Sequence, residues 1–335
     1  MNSKLISIIV PMYFEEAVVE ECYKRLTNVA LSANLNYEII FINDGSTDKT
    51  PELLEAIAIK DQNVKVINFS KNFGHQIAVS AGIDKAQGDA VIIIDADLQD
   101  PPELIPRMID LWEKGYEVVY GKRKKRDGES FFKLFTAKAF YRVLNNMSDV
   151  PIPMDTGDFR LLDKKVVEVL RKMPEQNRFL RGMSSWAGFR QIELEYERKE
   201  RFAGKTKYPL KKMLKLASDG ILSFSSKPIK LVELAGLITL SIGFIAAIYL
   251  LSGSILGIRG IELRWVSLFT VIAFIGGIQI FSIGVIGEYV TRIYDESKGR
   301  PLYIIDREIN MKKSEKKHLY VVGKDINTEK EYITK

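Results

Sequence analysis

Short apolar runs alternate with amphipathic stretches over the first 120 residues of the chain. Runs rich in β-branched residues have the length of strands, and the segments between them repeat apolar residues with a helical period. The predicted strands are 6–10, 38–42, 64–68, 90–94 and 116–121, and the predicted helices are 16–33, 51–60, 76–86 and 102–114. Such alternation is typical of βαβ units, so we predict an α/β fold with a mainly parallel sheet.

Two segments near the C-terminus lack the polar face that a soluble helix normally carries. Residues 234–258 and residues 265–287 contain no charged side chain. Each segment is long enough to cross a hydrocarbon layer about 30 Å thick as a helix. Because the link between them is short, we predict a hairpin of two transmembrane helices.

Basic residues flank the two predicted spans unevenly. Between residues 198 and 230, Lys and Arg outnumber Asp and Glu by ten to two, whereas the loop between the spans has Arg259 and Arg264 against Glu262. The positive-inside rule therefore places both termini in the cytoplasm. The predicted organisation is a cytoplasmic domain (1–200), a basic juxtamembrane segment (201–230), the hairpin (231–291) and a cytoplasmic C-terminal tail (292–335).

Composition narrows this picture only slightly. A length of 335 residues suits about two domains, and a hydrophobic content of 46% is enough to form a core. The net charge is +6. The positive charges cluster beside the spans, so a lipid bilayer is the expected partner and nucleic acid is not. The single cysteine, Cys22, excludes an intrachain disulfide and is interpreted as a small buried side chain.

The most informative polar residues follow the predicted strand at 90–94. The apolar run there ends directly in Asp95 and Asp97, with Ala96 between them. The two aspartates project to one side of an extended chain, and paired carboxylates suit Mg²⁺ or Mn²⁺, which also binds substrate phosphates. Asp100 is expected to cap the helix that follows. The alternative is an acidic turn that only faces solvent.

Polar, aromatic or glycine residues follow each of the first four predicted strands. The segments are PMYFEE, NDGSTD, FSKNFGHQ and DADLQD. In a parallel sheet ligands bind beyond the carboxyl ends of the strands, so these segments outline the predicted site. The first strand is not followed by GxGxxG, and the chain has no GxxxxGK[ST] motif, which argues against a common dinucleotide fold and against a P-loop enzyme.

Five segments, taken in order and followed by two spans, resemble a known family. They are SIIVPMYFEE, FINDGSTDKT, NFGHQIAVSAGIDKAQGD, IIIDADLQDPPE and MDTGDFRL. Over about residues 4–305 the chain resembles the family 2 glycosyltransferases of GT-A fold. It resembles most the bacterial polyisoprenyl-phosphate glycosyltransferases, which load a sugar onto undecaprenyl phosphate and are similar to dolichyl-phosphate mannose synthases. Residues 306–335 lie outside the resemblance and are expected to be a solvated tail.

The resemblance implies roles for residues at the strand ends. Phe14 departs from the family, which often has Asn at this position. Asp44 is expected to contact the uracil and the ribose, Asp95 and Asp97 to bind a metal, and Asp97 and Asp158 to be catalytic. The full set of implied nucleotide-sugar-binding residues is Pro11, Tyr13, Glu15, Asp44, Lys71, Asp95, Ala96 and Asp97. The structural alternatives are a core position for Tyr13 and a turn cap at Asp44. His75 is a candidate acid/base group, and its alternative is a structural or supporting role.

A lipid phosphate acceptor requires cations, because a phosphomonoester is largely dianionic at pH 7. The expected contacts are Arg160, Arg181, Arg198, Arg201, Lys205 and Lys207. Apolar residues at helical spacing between 210 and 221, with lysines between them, predict an interfacial amphipathic helix on an anionic leaflet. The alternative is a basic stretch that only anchors the protein.

The implied reaction is inverting, metal-dependent transfer of a hexose, glucose or an N-acetylhexosamine, from a UDP-sugar to undecaprenyl phosphate at the bacterial cell membrane. Asp158 matches the family's proposed base, but an ionised acceptor scarcely needs one, so orientation of the acceptor or support of charge on the sugar are alternatives. Glycines in the spans favour a homo-oligomer.

Other functions remain open at the level of sequence. One is a GDP-mannose-dependent synthase that acts on the same lipid. A processive polysaccharide synthase would need more than two spans. A membrane-anchored nucleotide-sugar-binding protein without turnover would not need to retain Asp95, Asp97 and Asp158.

Overall fold

A computed structural model describes residues 4–124, 156–197, 227–255 and 264–311 of the chain. Several sequence predictions lie outside these ranges. They concern the interfacial helix between 210 and 221 and four of the expected phosphate contacts, which are Arg198, Arg201, Lys205 and Lys207.

Strands and helices alternate through the first part of the chain, as predicted. The strands are β1 (Leu5–Met12), β2 (Asn36–Asn43), β3 (Val64–Phe69), β4 (Ala90–Ile93), β5 (Val118–Arg123), β6 (Thr156–Asp163), β7 (Gln191–Tyr196) and β8 (Ile305–Ile309). The helices are α1 (Val19–Ser32), α2 (Thr50–Lys60), α3 (His75–Lys85), α4 (Ile105–Glu113), α5 (Lys164–Lys172), α6 (Leu180–Trp186), α7 (Lys227–Ile255) and α8 (Arg264–Ser297). The helix predicted at 102–114 is divided into a 3₁₀ turn, Pro102–Leu104, and α4.

In the described part of the chain these strands form an eight-stranded sheet in the order β7-β5-β6-β4-β1-β2-β3-β8. Strands β4, β1, β2 and β3 are parallel. One face of the sheet packs against α1, α2 and α4, and the other face packs against α3, α5 and α6. Because the central strands are covered on both faces, their sequences are almost continuously apolar. The predicted α/β fold with a mainly parallel sheet is confirmed.

Strand direction gathers the polar loops at one edge of the sheet. The carboxyl ends of the four parallel strands lie at this edge, and β6 runs antiparallel to β4, so the amino end of β6 lies there too. The register pairs Ile93 with Arg160. If the same register is continued for two more residues, Asp158 lies opposite Asp95. An antiparallel insertion from distant sequence therefore completes the edge.

Helices α7 and α8 are long and apolar enough to cross a membrane, judged by length and composition. Their qualifying windows are Lys227–Ile245 and Phe274–Ser297, and neither window is buried inside the protein. Helix α8 has 34 residues and therefore extends about 51 Å. It continues past residue 287, where the predicted span ends.

The chain after α8 returns to the sheet. Strand β8 pairs antiparallel with β3, and Tyr303, just before it, is buried. The Tyr303 ring stacks on Phe69 at 5.2 Å, and its hydroxyl donates to Asp84 at 3.0 Å. The prediction of a solvated tail is therefore wrong for residues 306–309, because this segment covers the edge of β3.

Candidate active site

The loop after β4 presents two carboxylates at the polar edge of the sheet. Ala96 is buried in the core, whereas Asp95 and Asp97 on either side of it are partly exposed. Leu98 follows with φ 58°, a left-handed conformation that is unfavourable for leucine by about 1–2 kcal/mol. Its side chain is buried, so core packing holds the strained turn.

Asp95 has the surroundings of a metal ligand. Its Oδ1 atom is buried and accepts no hydrogen bond. Burial raises the pKa of Asp95 to about 6; the positive charge of His75 opposes this rise and neighbouring carboxylates add to it. A bound cation would remove the unfavourable free energy of such an oxygen.

The described residues fit a metal that is completed by substrate. They contain no group of three or more His, Cys, Asp or Glu arranged to hold an ion alone. Mg²⁺ and related ions commonly bind one or two carboxylates together with substrate phosphates and water. Asp95 and Asp97 supply this minimal set.

Asp44 organises the loop after β3. Its side chain is buried, and its carboxylate accepts from the backbone N–H groups of Phe73 at 2.7 Å and Gly74 at 3.0 Å, and from the Asn72 amide at 2.9 Å. Burial raises the pKa of Asp44, although these backbone hydrogen bonds oppose the rise. These contacts do not test the expected uracil contact of Asp44, which stays a prediction. The turn cap comes from Asn43, whose Oδ1 accepts from Ser46 N–H.

Asp158 lies near the start of β6 and is almost fully buried. Its Oδ1 accepts from Arg181 Nε at 2.8 Å, and its Oδ2 lies 3.1 Å from His75 Nε2 and accepts from Gln76 Nε2 at 3.0 Å. Burial alone would raise the pKa of Asp158, but Arg181 and His75 hold it well below the usual range. Asp158 is thus an ionised carboxylate engaged by three side chains.

Helix α3 contributes two residues that the sequence did not identify as central. His75 and Gln76 form its first turn, and both contact Asp158. Burial would lower the pKa of His75, but the hydrogen bond to Asp158 and the charge of Asp95 raise it to about 9. The sequence signal was the position of FGHQ after β3, but its contact with β6 depends on the tertiary structure.

Arg181 and Arg160, both expected at the acceptor phosphate, have different settings. Arg181 in α6 is partly exposed and reaches Asp158 at the polar edge. Arg160 is buried and donates to Ser184 Oγ at 2.6 Å and to the Gly157 carbonyl at 3.2 Å. Burial lowers the pKa of Arg160 to about 10. The expected phosphate contact at Arg160 is therefore revised, because its guanidinium joins β6 to α6 inside the protein.

Asp100 does not cap the following helix. The residue at the N-cap of the 3₁₀ turn is Pro101, and the turn has no side-chain cap. Instead the buried carboxylate of Asp100 accepts from the Tyr196 hydroxyl and lies 3.6 Å from Arg123 Nη2. These contacts join the aspartate loop to β5 and β7.

The remaining predicted nucleotide residues lie on neighbouring loops. Pro11 is buried within β1, whereas the exposed rings of Tyr13 and Phe14 pack edge to face at 4.6 Å. The Glu15 backbone N–H donates to Thr50 Oγ1 at 3.0 Å. Lys71 is exposed, and its ammonium lies 5.1 Å from the centre of the Phe73 ring.

A glycine fixes the approach of two of these loops. Gly45 has φ 69°, and any side chain there would overlap the backbone of Lys71. The loop after β2 therefore packs closely on the loop after β3. This brings Lys71 to the same edge as Tyr13 and Phe14. The backbone N–H of Phe14 donates to Ser46 Oγ, which joins the loop after β1 to the loop after β2.

The family comparisons agree with this architecture. Residues 7–171 match the Glycosyl transferase family 2 model, and residues 227–293 match the GtrB C-terminal hairpin. The uncharacterized glycosyltransferase YkcC of Bacillus subtilis (strain 168) is 53% identical over 304 residues, which cover 90% of this chain and 93% of that protein. The prophage bactoprenol glucosyl transferase homolog of Escherichia coli (strain K12) is 42% identical over 305 residues, covering 90% and 98%.

Solved structures resemble the chain more distantly. Glucosyl-3-phosphoglycerate synthase from Mycobacterium tuberculosis, in complex with UDP, has a TM-score of 0.43 at 16% identity and covers 65% of this chain and 78% of its own. A likeness at this level supports no argument about function. Family membership rests instead on the family models and on the close relatives: this chain belongs to glycosyltransferase family 2, with a GT-A fold and a GtrB C-terminal hairpin.

Proposed function

We propose that this glycosyltransferase moves a hexose from a UDP-sugar to undecaprenyl phosphate at the cytoplasmic face of a bacterial cell membrane. The main support is that Asp95 and the Asp158–Arg181 pair meet at one sheet edge, in a chain that also carries the hairpin. Relatives named bactoprenol glucosyl transferases support a polyprenyl phosphate acceptor.

The donor side of the proposed site comprises the loops after β1, β2, β3 and β4. Asp95 and Asp97 would hold Mg²⁺ or Mn²⁺, which when bound neutralises negative charge on the departing nucleotide diphosphate. Tyr13 and Lys71 are exposed at the same edge, where an aromatic ring and an ammonium group suit a nucleotide. Asp44 supports this side indirectly by fixing residues 72–74.

The acceptor side comprises β6 and α6. An arginine can bind phosphate through more than one N–H group, and Asp158 fixes the Arg181 guanidinium through Nε. Asp158 already accepts from three side chains and has a depressed pKa, so its proposed role is to orient Arg181. The alternative role as a general base has less support.

The proposed chemistry is a single displacement with inversion. An oxygen of the ionised acceptor phosphate forms a bond to the anomeric carbon, while the bond from that carbon to the nucleotide diphosphate breaks. The bonding electron pair leaves with the diphosphate. Since the acceptor is largely dianionic at pH 7, no proton has to be removed.

The hairpin gives the acceptor side a proposed position near the bilayer. Gln176, in the loop before α6, donates through its backbone N–H to Glu296 at 2.7 Å and through its side chain to the Arg300 carbonyl at 2.8 Å. The end of α8 therefore touches the segment that leads to Arg181. This contact supports a membrane lipid whose phosphate reaches Arg181 while its tail stays in the bilayer.

A transfer assay tests the proposal. Membranes containing the protein are incubated with Mn²⁺, undecaprenyl phosphate and labelled UDP-glucose, UDP-N-acetylglucosamine or GDP-mannose, and lipids are then extracted. Label from a UDP-sugar in the lipid phase, absent when the metal is chelated, is expected. Label from GDP-mannose alone would favour a mannose synthase, and nucleotide binding without any transfer would favour a non-catalytic protein.

A further inference from the structure

His75 lies between the two sides of the proposed site. Its Nε2 atom is 3.1 Å from Asp158 Oδ2 and 3.6 Å from Asp95 Oδ1. Asp95 belongs to the loop proposed for the donor, and Asp158 holds Arg181, which we assign to the acceptor. A single imidazole therefore faces both carboxylates.

The neighbours of Nε2 determine where its proton lies. An ionised carboxylate only accepts hydrogen bonds, so Nε2 must carry hydrogen to bond with Asp158. The separation of 3.6 Å from Asp95 is too long for a hydrogen bond. His75 is thus hydrogen-bonded to the acceptor side and lies next to the donor side.

The backbone before His75 is held firmly. Gly74 adopts φ 105°, a conformation accessible mainly to glycine, and α3 begins at the next residue. The N–H groups of Phe73 and Gly74 both donate to the buried Asp44. The position of the imidazole therefore depends on the loop that Asp44 organises.

Gln76 strengthens the same connection. Its amide donates to Asp158 at 3.0 Å, and its Oε1 accepts from the Leu180 backbone N–H at 3.0 Å. Leu180 begins α6, which carries Arg181 in the next position. The first turn of α3 therefore contacts the aspartate loop, β6 and α6 together.

We propose that His75 is a positioning residue for sugar transfer, which sets the separation between Asp95 and Asp158 and, through Asp158, the direction of Arg181. This inference rests on the proposed function. Displacement of a reacting group by about 1 Å can reduce the rate about 100-fold, so loss of His75 is expected to act mainly on kcat.

Two variants and one control test this role in the full-length protein. His75→Ala is expected to lower kcat about 100-fold with the KM for the UDP-sugar within about threefold. His75→Gln, whose amide N–H can still reach Asp158, is expected to have a kcat at least about tenfold higher than that of His75→Ala. The other histidine, His318, lies outside the family matches, and His318→Ala should transfer at the wild-type rate.

Binding and a double variant separate positioning from a structural effect. Calorimetric titration with UDP and Mn²⁺ should give His75→Ala a Kd within about threefold of wild type, at an unchanged melting temperature. Asp158→Asn combined with His75→Ala should be no slower than the slower single variant, because residues that act as a unit are not additive.

Three results would overturn the inference: full kcat in His75→Ala, multiplicative losses in the double variant, or lost UDP binding in both His75 variants. If the alanine variant does not fold, the glutamine variant decides, and a 100-fold loss there with UDP binding intact would contradict the role. Absence of transfer by the wild type with every donor tested would instead refute the proposed function.

Discussion

At the scale of single residues, four aspartates at the polar edge differ mainly in their hydrogen-bond donors. Asp44 accepts from a loop, Asp100 from Tyr196, and Asp158 from α3 and α6. Asp95 combines a buried oxygen that accepts no hydrogen bond with a side chain that is 28% exposed, so a cation can reach it, whereas the Asp100 side chain is only 1% exposed. The same residue type thus acquires different functions from its surroundings.

The first prediction concerns the metal pair. Asp95→Asn and Asp97→Asn should each lower transfer at least about 100-fold, because a neutral amide is a weaker ligand for a hard cation. Calorimetry should show weaker binding of UDP with Mn²⁺ while binding of UDP under chelation changes little. Asp110→Asn, at an exposed position on α4, is the matched control. Full turnover in either site variant would refute the assignment.

The second prediction concerns the pH dependence of Asp158. Because Arg181 and His75 keep its pKa well below the usual range, the carboxylate is fully ionised at any pH near neutrality. If Asp158 orients Arg181, Asp158→Asn should lose a constant factor between pH 6 and pH 9. If Asp158 is a base, the loss should shrink as pH rises and the acceptor ionises by itself. Pre-steady-state or steady-state rates across this range distinguish the two.

The third prediction compares two arginines. Arg160→Met should lower the free energy of unfolding by about 1–3 kcal/mol, because it leaves buried acceptors without donors. Arg181→Met should raise the KM for undecaprenyl phosphate at least about tenfold while the KM for the UDP-sugar changes little. Denaturation curves and substrate titrations measure both effects. A selective rise in lipid KM for Arg160→Met would restore the original assignment of that residue.

At the scale of elements, β8 connects the second apolar helix to the catalytic sheet. In addition to the pairing of β8 with β3, Glu308 forms an ion pair with Lys85 at 2.6 Å, and the Asn310 amide donates to the carbonyls of Ala58 at 2.6 Å and Val64 at 2.9 Å. Together with the contact between Gln176 and the end of α8, these bonds attach the sheet to the hairpin at two places. The polar edge of the sheet is therefore held at a defined position relative to α8.

The fourth prediction tests this attachment. Tyr303→Ala should lower the free energy of unfolding by about 3 kcal/mol, because it removes a buried ring that stacks on Phe69. Tyr303→Phe, which removes only the hydrogen bond to Asp84, should lower it by about 1 kcal/mol. Ending the chain after Met311 should leave the melting temperature unchanged, whereas ending it after Pro301 should lower it. Equal stability of the two truncated proteins would contradict a structural role for β8.

At the scale of the whole molecule, the proposed arrangement is a catalytic domain held against the inner face of a membrane by a hairpin. Neither of the qualifying windows of α7 and α8, Lys227–Ile245 and Phe274–Ser297, is buried inside the protein, which suits lipid contact, and the basic residues before α7 suit an anionic leaflet. The proposed orientation is argued from charge asymmetry and is open to a direct test.

The fifth prediction concerns membrane topology and uses cysteine labelling, for which the single native cysteine should give little signal. Cys22 is buried, and burial raises its pKa to about 12, so it should react poorly with maleimides. Gly260→Cys, which lies in sequence between the two predicted spans, should be labelled by a membrane-impermeant maleimide in intact cells. Lys60→Cys, at an exposed position of α2, should be labelled only after permeabilisation. The reverse pattern would invert the proposed topology.

Local patterns were enough to predict a large part of this protein. The first five strands, the intervening helices and the two apolar helices follow from hydrophobic periodicity and length, which neighbouring residues express without reference to distant ones. The acidic pair Asp95 and Asp97 was recognisable because it directly follows a buried strand. The family resemblance was likewise carried by short continuous motifs.

The sequence by itself therefore determined the class of fold, the two long apolar helices and the edge of the sheet at which a site should lie. The tertiary structure decided which donors reach each carboxylate, that Arg160 is internal, that His75 stands between Asp95 and Asp158, and that β8 completes the sheet. The physical reason is distance along the chain: these contacts join β4 to β6, α3 to α6 and β3 to the segment after α8. No local periodicity encodes such pairings, because they exist only once the sheet has assembled.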